Sequence, residues 1–74
     1  MSDKLLLKAK RVAGWFAHNQ RHELRHYMLE EFRHVVDNAL DYAQNPSLYN
    51  DSKHYRACVE ILFDYMVHDL RISL

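Results

Sequence analysis

Seventy-four residues and 8.9 kDa leave room for one domain, and ten Lys and Arg against ten Asp and Glu leave it without net charge. The single cysteine, Cys58, excludes an intramolecular disulfide framework and suits a reducing compartment, so a cytoplasmic protein is expected. No apolar run approaches the ~18 residues needed to span a bilayer, and Leu5-Leu6-Leu7 is cut off by Lys8 and Lys10, so neither a membrane span nor a secretion signal is expected.

One Gly and one Pro among 74 residues, with abundant Ala, Leu, Arg, Glu and Met, predict an all-α domain. The first helix is expected over about 3–19, with Ser2 as N-cap and Asp3 in its first turn. Leu5, Ala9, Val12 and Phe16 form its apolar stripe. The second is expected over about 21–43, ending before Asn45-Pro46 because the residue before proline is pushed out of helical geometry. Its stripe is Met28, Phe32, Val35, Ala39 and Tyr42, led by Leu24 and widened by Val36, Leu40 and Ala43. Asn19-Gln20 is only a weak break, so a long helical hairpin competes with a small antiparallel three-helix bundle. Residues 45–51 read as a turn-rich connection, and Asp51 or Ser52 can cap a third helix over about 52–72.

The third helix is apolar on two sides. Tyr55, Val59, Leu62, Phe63, Met66 and Leu70 make one face, and Ile61, Tyr65 and Ile72, flanked by Cys58, project roughly opposite. A domain of this size buries only about 60% of its unfolded surface. The expectation is therefore a homodimer whose interface includes Cys58, Ile61, Tyr65 and Ile72.

Three short patterns advertise chemistry. His22-Glu23-Leu24-Arg25-His26 fits H-E-x-x-H and resembles the zincin metalloprotease signature over five residues, implying two imidazole zinc ligands and a glutamate base. The continuation departs from it, with Leu29 in place of the glycine and Phe32 in place of the third histidine. What is left is a weak metal-binding pair, His22 and His26. Glu31-Phe32-Arg33-His34 is E-x-x-H, which resembles one di-iron helix of ferritin-like bundles, but the only further carboxylates, such as Glu60 and Asp64, lack the matching spacing. His34 is expected in a solvated turn. Arg21 and His26 share the R-x4-H spacing of HEPN-type ribonucleases, which are larger four-helix domains. Cys58 reads as a small core residue rather than a nucleophile, and neither catalytic residues nor a cofactor are expected.

Charge is distributed unevenly. Residues 1–34 carry seven Lys and Arg against four acids, whereas residues 35–74 carry three against six. Lys4, Lys8, Arg11, Trp15 and His18 fall within about 80° of one another on the first helix, and Arg21, His22 and Arg25 extend the region. A basic face with a tryptophan suits a protein partner, because Trp and Arg dominate interface hot spots. It also suits nucleic acid, where cations release phosphate counterions and an aromatic ring stacks. The neutral total and acidic second half favour protein. The expected role is a non-catalytic regulatory, adaptor or inhibitor module, with a small nucleic-acid-binding regulator second and metal binding at His22 and His26 third.

Overall fold

A computed structural model describes residues 4–18 and 22–74, the side chains of residues 22–25, 27 and 31 excepted. The described residues contain helices and no strand. Helix α1 spans Lys4–His18, α2 spans His22–Gln44, α3 is the single turn Pro46–Tyr49, and α4 spans Lys53–Asp64, continuing into a π-helical turn over Tyr65–Asp69. An unbroken helix from residue 4 to 44 would be about 60 Å long. The longest dimension of the molecule is 34 Å, so α1 and α2 are separate elements. The expected break at Asn19-Gln20 lies outside the described residues.

The core is where the apolar stripes meet. Leu5, Ala9, Val12 and Phe16 of α1, Met28, Val36, Ala39 and Tyr42 of α2, and Val59, Leu62 and Met66 of α4 and the turn beyond it are buried together. Each of α1, α2 and α4 touches the other two. Helices α2 and α4 run antiparallel: Tyr42 meets Arg56, Asn38 meets Cys58, and Phe32 meets Tyr65. Phe32 itself has non-helical backbone angles (φ −128°, ψ 29°), which bends α2 beside Tyr65.

Local chemistry explains most helix ends. Pro46 follows the end of α2 and opens α3, where its missing N–H costs nothing. Ser52 caps α4, its Oγ accepting from Tyr55 N at 3.3 Å. The far end of α4 departs from the expected helix to 72. Leu70 N donates to Tyr65 O at 3.0 Å, Ile72 N donates to Met66 O at 2.8 Å, and Arg71 adopts the left-handed conformation at φ 56°. This is a widened version of the helix-ending turn usually built with glycine. Its effect is to leave Leu70, Ile72 and Leu74 all packed against the core. A continued helix would turn Ile72 away from Leu70 by about 200°.

Position on α4 should therefore decide the cost of truncation. Leu62→Ala, deleting a fully buried side chain, is expected to cost about 2–5 kcal/mol in chemical denaturation. Ile61→Ala, one residue away and 51% exposed, is expected to change stability by about 0.5 kcal/mol or less.

Candidate functional site

The basic region expected on α1 is only partly presented to solvent. Lys4, Arg11 and His18 are exposed. Lys8 is not simply part of that surface: its Nζ lies 3.1 Å from Glu60 Oε2 and 5.1 Å from the centre of the Phe63 ring, tying α1 to α4. Trp15 is half-buried, packed against the core with its ring edge-on to Phe16 at 4.9 Å. Arg21, and the side chains of His22 and Arg25, lie outside the described residues.

A neighbouring stripe was overlooked. Lys4, Leu7, Arg11, Gly14 and His18 repeat at spacings of three and four, roughly opposite the buried stripe of α1. Leu7 is 52% exposed in its middle. Among the described residues nothing packs at Gly14, since a Cβ there would meet none of their atoms within 4 Å. The signal was available, because Leu7 stands among cations where solvent exposure favours a polar side chain.

The H-E-x-x-H segment is described only at its end. His26 is exposed, and its Nε2 lies 3.1 Å from Glu30 Oε1, one turn along α2. That pairing with a solvated carboxylate contributes little to stability.

The expected dimer residues have separate fates. Cys58 is turned inward, 3% exposed, because α2 covers that side of α4. Tyr65 packs on Phe32 with ring centres 4.5 Å apart. Ile72 lies beyond the helix and against the core. Ile61 alone remains open, on a groove of about 310 Å³ shared with Phe32, Asp64, Tyr65, His68 and Asp69. The second apolar side of α4 is thus largely met by the protein's own α2.

That seam also contains a polar cluster. Asn38 is 8% exposed. Its Nδ2 lies 2.9 Å from His54 Nε2, 3.4 Å from His34 Nε2 and 3.6 Å from Cys58 Sγ, while Cys58 Sγ and His54 Nε2 are 4.0 Å apart. The two imidazole ring centres are 5.5 Å apart, with their planes tilted by 46°. An amide nitrogen can only donate, so the two Nε2 atoms act as acceptors, and two hydrogens serve three partners. His34, expected in a solvated turn, keeps an exposed edge but joins this cluster, because the bend of α2 around α4 brings its ring to His54. Both helices carry cluster residues at i and i+4, His34 with Asn38 and His54 with Cys58. As the side chains stand, no group of three or more His, Cys, Asp or Glu among the described residues is drawn in closely enough to hold an ion.

Nearby, Tyr55 stacks on Tyr49 at 4.1 Å with ring planes 6° apart and meets the edge of His54. Loss of solvation, then the adjacent Tyr49 and the charges of Asp41 and Cys58, raise the Tyr55 pKa above its ordinary value of 10.0. A raised pKa means that the folded state holds this proton when the unfolded chain has released it. Stability should therefore be unaffected below about pH 9 and fall as pH rises through and beyond about 10. Thermal melts of Tyr55→Phe across that range should have a shallower alkaline slope than the parent protein. Asn38→Ala should lower stability by about 1–3 kcal/mol in urea titration, because its buried partners lose their donor.

No known protein family, curated protein or solved structure matches this chain.

Proposed function

We propose that this chain is a non-catalytic adaptor or inhibitor module, folded as a three-helix bundle, that docks on a larger protein through the outward face of α1. The observation that carries the reading is the composition of that face: exposed Leu7 and the open backbone at Gly14 lie between the cations Lys4 and Arg11 and the exposed His18. An apolar centre with a charged rim is the usual anatomy of a protein interface. The described span of α1, Lys4–His18, has four cations and no acid. Lys4 stands at the N-terminal end, where the helix dipole opposes it. Glu60 meets Lys8, but local helix stability does not account for Lys4, and a partner with an acidic rim would.

Gly14 fits the same partner. A glycine inside a helix costs about 1 kcal/mol relative to alanine. Here no described residue uses the space, so a partner helix can approach the α1 backbone closely there.

The nucleic-acid reading has weaker support, because the Lys8 ammonium is already neighboured by the Glu60 carboxylate, which would repel phosphate beside the same face. Self-association through α4 also has less to use than expected. Ile61 and its groove are what remain open of that surface, against the ~800 Å² per partner of a standard interface.

The test is capture of partners on the immobilised chain after nuclease treatment. Leu7→Asp and Arg11→Glu should each reduce the captured protein by about tenfold or more, as hot-spot residues do, while the exposed Lys53→Glu leaves it unchanged. Gly14→Ala should raise the stability of the uncomplexed chain by about 0.5–1 kcal/mol and still weaken capture. Capture that nuclease abolishes would transfer the reading to nucleic acid, and equal loss from Lys53→Glu would remove α1 as the docking face.

A further inference from the structure

We propose that the α2–α4 seam is a binding site for a zinc-class divalent ion, with Cys58 Sγ, His54 Nε2 and His34 Nε2 as ligands. Three atoms of the types that zinc prefers already point at one place, and that place is held by the Asn38 amide nitrogen, at 2.9, 3.4 and 3.6 Å from them. A neutral amide donor surrounded by two imidazole acceptors and a sulfur occupies the position a cation would take. It is also under-equipped for it, with two hydrogens for three partners.

On α4 the required movement is small, while His34 must be drawn in from α2. Tetrahedral zinc with bonds of about 2.0–2.1 Å to nitrogen and 2.3 Å to sulfur puts those ligand atoms about 3.5 Å apart. His54 Nε2 and Cys58 Sγ stand 4.0 Å apart, at i and i+4 on one helix. His34 approaches from α2 with an exposed edge, as does His54 from α4, so an ion can reach the seam without unfolding. Asn38 must withdraw by about one metal–oxygen bond length, ~2 Å, with its carboxamide oxygen turned inward as the fourth donor. Imidazoles bind in the neutral form and the thiol binds as thiolate, so loading releases one proton from Cys58 to solvent. The mixed nitrogen and sulfur set selects zinc over magnesium or calcium, which take oxygen. The consequence is a clamp: ligands from α2 and α4 join the two helices whose packing closes the fold. His22 and His26 are not part of it, since His26 is paired with Glu30 at the surface.

Cobalt(II) is the probe, because a thiolate ligand produces a near-ultraviolet sulfur-to-cobalt charge-transfer band that an imidazole pair does not. The full-length chain, reduced and titrated with cobalt, should develop that band to one equivalent, together with the intense visible bands of four-coordinate cobalt. Zinc should bleach both and raise the melting temperature. His26→Gln should leave the titration unchanged. Cys58→Ser should abolish the charge-transfer band, and His34→Gln and His54→Gln should each weaken cobalt binding by about 100-fold or more.

A zinc titration of the unaltered protein followed through its histidine ring resonances keeps the test independent of whether those variants fold. His34 and His54 should shift at one equivalent while His26 does not. Absence of the charge-transfer band at saturating cobalt, unchanged cobalt affinity in folded His34→Gln and His54→Gln, or shifts confined to His22 and His26 would each overturn the assignment.

Discussion

Burial of α4 between two neighbours is the constraint from which the rest of this structure follows. Val59, Leu62 and Met66 supply the common core, but the flanks of the helix differ. On one side Lys8 reaches across from α1 to Glu60 and lies over Phe63. On the other, Asn38 and Phe32 of α2 meet Cys58 and Tyr65, and Arg56 donates to the buried Tyr42 hydroxyl at 3.0 Å. A chain of this size cannot afford a helix covered on one side only. Both sides are met internally, and Ile61 with its groove is the part of that second side left open.

The two flanks are chemically unequal, and the inequality separates two properties of the molecule. Contact with α1 is made by the edge of its basic region, so Lys8 is drawn inward while Leu7 and Arg11 remain exposed. Contact with α2 is polar at its centre. A buried amide shared among two imidazoles and a thiol stabilises the pairing only while all partners stay in place, which ties the register of α2 to that of α4. That dependence confines the polar chemistry of the interior to the α2–α4 seam, whereas the exposed Leu7 and Arg11 of α1 take no part in the core.

The parts of the fold readable from the sequence were those set by short-range periodicity. All four stripe residues of α1 are buried, because a 3.6-residue repeat aligns them on one face of the helix. The end of α2 at Gln44 follows from Asn45-Pro46, where the backbone itself forbids continuation. The end of α4 had no such sign: Val67-His68-Asp69-Leu70-Arg71 contains neither glycine nor proline, and Arg71 takes the left-handed position because the core rewards bringing Ile72 and Leu74 back. The polar cluster was equally hidden. His34 and His54 are 20 positions apart, and an i, i+4 pair on each helix signifies nothing until the helices are known to face each other in that register.

By itself, then, the sequence determined that this is an all-α chain, where its main apolar stripes lie, and that its cations gather in the first half, because composition, periodicity and charge act over one or two turns. Tertiary structure alone decided that Lys8 bonds to Glu60, that Cys58 turns inward beside His54, that Ile61 remains open and that α4 stops short of Ile72. Each of these depends on which helix lies alongside, and that choice is made by the summed burial of three apolar faces rather than by any residue's own neighbours along the chain.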